Sequence, residues 1–318
     1  MYSYAIVIVT FNRLKMLKQC LEHAFGQTMK PCAVVVVDNC STDGTSEYLD
    51  ALRSGKDYAS DNLRFLLYHE KENIGGAGGF HDGLKIAVKH TDADWFLLID
   101  DDAILDYDCM EKMDPRTSQY QASAYACSVY YKGQLELSHR QNRKGVIPDK
   151  QYEQPEFLCD RTSFCGSMFS RELVEKIGYP LKEYFLWFDD TEYSIRVRQH
   201  TEIVVRTGAS LQHGDPDQPD QRASVDWRYY YGTRNHLDML RRHKMIPQYI
   251  AFDLEARLIV LLRYLRIARY RKDDDKRIQN ETEALIFRAG RKDAKGRKLG
   301  KNPSFLPGVK IGGRKKER

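Results

Sequence analysis

The chain reads as an α/β protein built on a mostly parallel sheet, and three observations predict it. Short apolar runs alternate with segments of helical periodicity, a polar segment follows each run, and the run Trp95 to Ile99 ends in three consecutive carboxylates, Asp100, Asp101 and Asp102. At 318 residues, 42% hydrophobic and 30% charged, the length suits one large α/β domain with an appendage, or two small domains.

Taken in order, Tyr4 to Thr10 is an apolar strand, Leu14 to Gln27 has helical periodicity, and Ala33 to Val37 is a second strand carrying four valines. Ser41-Thr42-Asp43-Gly44-Thr45 is a turn into a helix over Ser46 to Leu52. Leu63 to Tyr68 gives a third strand, Gly79 to His90 a helix, and Asp94 to Ile99 a fourth strand. Right-handed crossovers place such strands side by side and gather the segments after them at the carboxyl end of the sheet.

Three anions at one strand end repel each other and raise their own pKa values unless a divalent ion or a set of donors neutralises them. Mg²⁺ or Mn²⁺ fits, since both favour carboxylate oxygen and are often shared with substrate phosphates; an acidic turn on a solvated edge is the plainer alternative. Thr10-Phe11-Asn12-Arg13, Asp38-Asn39 and the run Asn73 to Gly79 follow the first three strands and face the same cleft. Asp38 can accept from a base imide or a ribose hydroxyl, or serve as a turn or helix cap, and Arg13 can donate to phosphate or lie on the surface. Glycines 75, 76, 78 and 79 let backbone approach a ligand ahead of a helix N-terminus, or form a plain loop. Neither a dinucleotide fingerprint nor a Walker lysine is present.

In the second half, Phe185-Leu186-Trp187-Phe188 precede Asp189-Asp190-Thr191-Glu192, an aromatic platform beside carboxylates that suits general-base work on a sugar hydroxyl, or a capped helix start. His213 follows the short apolar runs Ile203 to Val205 and Ala209 to Leu211, and can supply a neutral nitrogen to the ion posited at the acidic triplet. The segment Met110 to Phe157 is expected to carry part of an acceptor site but holds no translatable motif.

The seven cysteines show no CxxC spacing and read as reduced thiols. No run approaches the roughly 20 apolar residues of a membrane span, and Met1 leads into a strand without a signal pattern, so a cytoplasmic location is expected. Residues 286–318 hold twelve Lys or Arg against Asp293 and Glu317, a net +10; with the whole chain at +5 the remainder carries −5. Before them, Tyr249 to Tyr270 mixes leucines and isoleucines with Arg257, Arg263, Arg266 and Arg269, a basic amphipathic helix that can lie on an anionic membrane surface or pack on the domain. Nucleic acid is not the expected partner, because no aromatic interleaving or binding module accompanies the basic tail.

The order of motifs resembles that of family 2 inverting glycosyltransferases of the GT-A fold. The resemblance rests on Val9 to Arg13, Val37 to Thr45, Asn73 to Phe80, Asp100-Asp101-Asp102 and Trp187 to Asp190, and the glycine run, the triplet, the segment Phe188 to Arg196 and the later histidine are most similar to bacterial galactofuranosyltransferases, with rhamnosyltransferases close by. It covers about residues 1–240, read as a GT-A domain, and the charge pattern adds a helical extension over 241–285 and a basic tail over 286–318, unstructured or membrane-associating. It further implies Mn²⁺ or Mg²⁺ on Asp102, His213 and Asp100, with the one histidine tilting the choice toward Mn²⁺. The nucleotide-sugar donor would lie against Thr10, Phe11, Arg13, Asp38, Asn73, Gly75, Gly76, Asp100, Asp101 and Arg234. Asp190 would be the base and Asp189 would bind acceptor hydroxyls, although adjacency leaves these two interchangeable. The implied reaction transfers galactofuranose from UDP-galactofuranose, or rhamnose from dTDP-rhamnose, to a saccharide or lipid-linked saccharide in cell-surface polysaccharide synthesis. A catalytically silent nucleotide-sugar binder and a nucleotidyltransferase are the competing classes.

Overall fold

The computed structural model describes residues 2–55, 63–215 and 225–311. The chain divides into two compact units, one of residues 1–182 with 190–219 and one of residues 183–189 with 220–318.

The first unit opens with β1 (Tyr4–Thr10), α1 (Leu14–Gly26), β2 (Ala33–Asp38), α2 (Thr45–Ser54), β3 (Arg64–His69), α3 (Gly75–His90) and β4 (Trp95–Asp100). It continues through β5 (Ala103–Leu105), α4 (Cys109–Lys112), β6 (Ala124–Tyr131), β7 (Gln134–Leu135), β8 (Arg140–Asn142), β9 (Gly145–Val146), β10 (Glu156–Cys159), β11 (Arg161–Thr162), β12 (Ser167–Ser170), α5 (Arg171–Ile177), α6 (Asp189–Val197) and β13 (Ile203–His213). The main sheet runs in the order β10-β13-β6-β12-β4-β1-β2-β3, with β5 added to β13. Strands β4, β1, β2 and β3 are parallel, as the alternating pattern predicts, while β12 joins β4 and β6 antiparallel. The result is the expected α/β class with a mixed far half.

Alternation along β1 builds two cores. Tyr4, Ile6 and Ile8 pack against Leu17, Leu21 and Phe25 of α1, whereas Ala5, Val7 and Val9 meet Phe80, Leu84 and Ala87 of α3 on the other face. The glycine run departs from the sequence reading here. It lies inside α3, which starts at Gly75 rather than Gly79. A Cβ at Gly79 would stand 2.4 Å from Val9 Cγ1, and one at Gly83 would stand 2.6 Å from Val7 Cγ1. Those glycines let the helix lie close on β1. Gly76 has nothing within 4 Å of the same hypothetical atom and is the glycine of the run with space beside it, whereas Gly75 is buried with φ +77°, a conformation that favours glycine.

The second unit holds α7 (Arg228–Arg242), α8 (Ile246–Arg269) and α9 (Asp274–Lys295) around a small core of Phe185, Tyr230, Tyr231, Ile286 and Phe305. Tyr230 and Phe305 stack with centroids 4.1 Å apart. Helical structure therefore runs past residue 285 into the segment read as a basic tail, because Ile286, Phe287 and Ala294 have an apolar face to bury. The last seven residues of that tail, 312–318, lie outside the described residues.

Candidate active site

Strand pairing, not sequence proximity, brings His213 to the acidic triplet. Asp100 ends β4, and the register of β5 on β13 sets His213 opposite Ala103, one residue from Asp102. The Gly214 N–H donates to the Asp102 carbonyl at 2.9 Å and fixes that approach. Asp102 Oδ1 then lies 3.5 Å from His213 Nε2, and donor atoms of Asp100, Asp102 and His213 all fall within 4.8 Å of one another. Asp102 Oδ1 is buried without a hydrogen-bond partner. A buried, unpartnered carboxylate oxygen beside an imidazole nitrogen and a second carboxylate fits a divalent ion, and the O,O,N donor set suits Mn²⁺.

A second cluster among the described residues, His139, Cys165 and His213, has similar spacing. It fits an ion less well. Both His139 ring nitrogens are engaged, with Ser163 Oγ at 2.7 Å and Glu136 Oε2 at 3.1 Å, and burial holds the Cys165 thiol well above its ordinary value.

Electrostatics separate the three neighbouring aspartates. Asp101 accepts from Thr10 Oγ1 at 2.8 Å, Phe11 N at 3.2 Å and Arg13 Nη1 at 3.1 Å, so it braces the loop after β1. Burial nevertheless pushes Asp101 up to about 7 against the pull of Arg13. Asp100 is pushed up to about 6, by burial first and Asp102 next, with His213 and Arg13 opposing and Asp190 adding to the rise. Arg13 also meets Asp102 Oδ2 at 2.7 Å and remains half-exposed. Beside it an open cleft of about 290 Å³ is lined by Asn12, Lys15, Asp43, Asp102 and Asp215, among others.

Asp190 belongs to the same unit. Its Oδ1 accepts from Thr191 N at 2.5 Å within the first turn of α6, and burial raises its pKa although that hydrogen bond opposes the rise. Below the acidic groups, the fully buried Arg140 donates to the carbonyls of Cys127 at 2.7 Å and Cys165 at 2.9 Å, and its charge lowers the Asp190 pKa.

Other sequence-predicted residues take local roles. Asp38 is fully buried, and its oxygens accept from Ser41 N at 3.0 Å and Ser46 Oγ and pair with His69 Nδ1 at 2.9 Å, partners that hold its pKa low despite burial. That is the turn-and-cap alternative. Asn73 Oδ1 accepts from Gly75 N at 2.8 Å at the start of α3. In the second unit, Asp189 is buried, and Arg234 is buried with Nη1 on the Gly300 carbonyl at 2.6 Å and Nη2 on that of Tyr184 at 3.0 Å. As placed, Arg234 is a brace rather than an open phosphate donor. Its neighbour Asn235 holds the carbonyls of Tyr184, Leu186 and Trp187 at 2.9 Å. Those contacts clamp a loop in which Phe185, Trp187 and Phe188 all have φ between +65° and +68°, a conformation that costs on the order of 1–3 kcal/mol per bulky residue and concentrates at functional loops.

Sequence reasoning missed Glu136, whose Oε2 bridges His139 Nε2 at 3.1 Å and His213 Nδ1 at 3.8 Å. The only available signal was its spacing of three from His139.

An α/β sheet whose parallel strand ends bear an acidic, histidine-completed cluster is consistent with the architecture of GT-A glycosyltransferases. The family model for glycosyl transferase family 2 matches residues 5–178, more than half the chain, and the protein belongs to that family. Two galactofuranosyltransferases named GlfT2 are similar: that of Mycolicibacterium smegmatis is 25% identical over 273 residues, and that of Mycobacterium tuberculosis is 22% identical over 278. Each match covers 76% of this chain and 41% of the relative, so the chain spans about two fifths of their length. In fold, it is similar to GalNAc-T7 solved with UDP, GalNAc and Mn²⁺ (TM-score 0.57, 11% identity, 76% of this chain and 48% of that one). It is also similar to residues 1–349 of S. aureus TarS with UDP (TM-score 0.52, 14% identity, 97% and 98%).

Proposed function

We propose that the protein is a divalent-metal-dependent inverting glycosyltransferase that moves galactofuranose from UDP-galactofuranose to a saccharide or lipid-linked saccharide acceptor. The observation that carries this reading is the convergence of Asp100, Asp102 and His213 within 4.8 Å, with Asp190 close enough to Asp100 to raise its pKa. Galactofuranosyltransferases among the relatives support the donor.

Asp102, His213 and Asp100 would hold Mn²⁺ or Mg²⁺, which supplies Lewis-acid stabilisation to the departing nucleoside diphosphate. Arg13 adds a half-exposed cation next to Asp102 for the diphosphate. Thr10, Phe11 and Asp101 keep that arginine's loop in place, and Gly76 leaves backbone open to the donor. Asp190, its pKa raised by burial, takes the proton from the acceptor hydroxyl as that oxygen bonds to the anomeric carbon and the bond to the diphosphate oxygen breaks on the opposite face. Configuration inverts. Asp189 is assigned to acceptor hydroxyls. A lipid-linked acceptor would place the enzyme at the inner face of the cell membrane.

The test is release of nucleoside diphosphate from a panel of UDP- and dTDP-sugars with Mn²⁺ and a saccharide acceptor, with Asp190→Ala alongside. Metal-dependent release from UDP-galactofuranose, together with a glycosylated product, is expected, and the substitution should lower turnover by at least two orders of magnitude. Release from dTDP-rhamnose alone would reassign the donor; pyrophosphate from a nucleoside triphosphate would overturn the reaction class.

A further inference from the structure

Helix α8 is built inside out. Its polar contacts face α9: buried Asp253 accepts from Arg257 at 3.0 Å and Arg291 at 2.8 Å, and Arg263 pairs with Glu283 at 2.6 Å. Its apolar side faces away. Ile250, Leu254, Leu258, Leu261, Leu262 and Leu265 are between 46% and 60% exposed. At 100° per residue these six share an arc of roughly 120°, and at about 1.5 Å per residue they form a stripe on the order of 24 Å long. Single exposed leucines are ordinary on a protein surface, but a continuous stripe marks a surface that something covers.

Charge indicates what covers it. Exposed Arg257, paired with Asp253, and Arg266 flank the stripe on its two sides, Arg269 ends it, and Arg271 and Lys272 follow before Asp273, Asp274 and Asp275 open the next helix, while Glu255 is the one exposed acid on α8 itself. No helix among the described residues is long and apolar enough to cross a membrane. An apolar strip edged by cations, too polar on its other side to insert fully, matches a leaflet in which acyl chains lie beneath anionic headgroups. In a parallel pairing of two copies, the same arginines would face each other.

We propose that the outward face of α8 docks on an anionic lipid surface, lying in the plane of the headgroups with its leucines toward the acyl chains. This deepens the membrane-side reading above by naming the surface, and its test involves no sugar transfer, so the two readings fail separately.

The full chain is sedimented at low salt with vesicles of phosphatidylglycerol and phosphatidylcholine in equal parts, and with pure phosphatidylcholine. Variants Leu258→Ser/Leu261→Ser/Leu265→Ser and Arg266→Ser/Arg269→Ser are run alongside, with circular dichroism to confirm unchanged helicity; all five positions are exposed, so folding should persist. Binding to the anionic vesicles alone is expected, weakened at least tenfold by the leucine variant and roughly 25-fold by the arginine variant, taking about fivefold per cation near the surface. Three results overturn the proposal. The protein could stay in the supernatant; it could bind equally well without the leucines, which would make the basic tail the contact; or light scattering could show a dimer that the leucine variant dissolves while lipid binding is absent.

Discussion

Gly79→Ala separates the packing role of the glycine run from the ligand role proposed for it. The added Cβ would sit 2.4 Å from Val9 Cγ1 and 3.1 Å from Cγ2, whereas ordinary carbon contacts begin near 3.5 Å. Val9 cannot swing away, because a β-branched side chain is restricted at χ1 and this one is buried in the sheet. Helix α3 must instead lift by about an ångström, an overpacking that costs about 1–3 kcal/mol. Alanine returns up to about 1 kcal/mol of helix propensity, leaving a net loss centred on about 1 kcal/mol and no larger than about 2 kcal/mol when the full return is made. Gly76→Ala meets nothing within 4 Å, so it should gain a few tenths to about 1 kcal/mol. Urea unfolding followed by circular dichroism should therefore rank Gly76→Ala above the parent and Gly79→Ala below it. Val9→Ala combined with Gly79→Ala should recover at least about 1 kcal/mol as coupling. If Gly79→Ala is as stable as Gly76→Ala, the close approach of α3 to β1 is not what that glycine serves. A Gly76→Ala protein that is stable yet binds UDP at least tenfold more weakly would place ligand at that backbone.

Two further outcomes can be measured directly. Glu136→Gln should weaken Mn²⁺ binding by calorimetry roughly 10- to 100-fold, as loss of a partner that orients a ligating imidazole does, with the melting temperature little changed; equal affinity would remove Glu136 from any positioning role. Burial, and then Asp82, pushes Glu70 up to about 7 from an ordinary 4.5. The folded state therefore keeps a proton that the unfolded chain has released, and stability falls as pH rises from about 4.5 to 7. Glu70→Gln should flatten that fall and gain on the order of 1 kcal/mol at pH 8 after allowance for solvent screening, with little change at pH 4; parallel stability profiles for the two proteins would refute the assignment.

The first half of the fold was legible because its signals are local. Strands β1, β2 and β4 are short apolar runs buried on both faces, the edge strand β3 is only partly buried, and all four fall within a residue or so of the boundaries read from sequence. The helix after β3 was misplaced by four residues because glycine in sequence reads as loop, whereas Gly79 and Gly83 serve a contact with Val9 and Val7 that only the folded chain contains. Likewise, β13 appeared as two fragments around Gly208, since only pairing with β6 joins them. The acidic triplet and His213 were each conspicuous, but their meeting depends on β5 pairing with a strand about a hundred residues away, which no periodicity encodes. Glu136 carried no signal of its own. In α8 the amphipathic pattern was readable and its direction was not: Arg291 and Lys295, far along the chain, are what draw Asp253 inward.

The register of β13 also limits which insertions and deletions the protein can tolerate. Arg206 pairs with Cys127 and Ser210 with the very next residue of β6, Ser128, so Thr207, Gly208 and Ala209 have no counterparts across the ladder. Excising all three would leave Leu211 and Gln212 opposite Val129 and Tyr130 and keep His213 aligned with Ala103. Removing one or two forces a choice between a smaller kink and a slipped ladder, and a slip of one turns every later side chain to the opposite face of the sheet. Length variation in this strand should thus come in a single step of three, since any intermediate length that slips would carry the His213 imidazole away from Asp100 and Asp102.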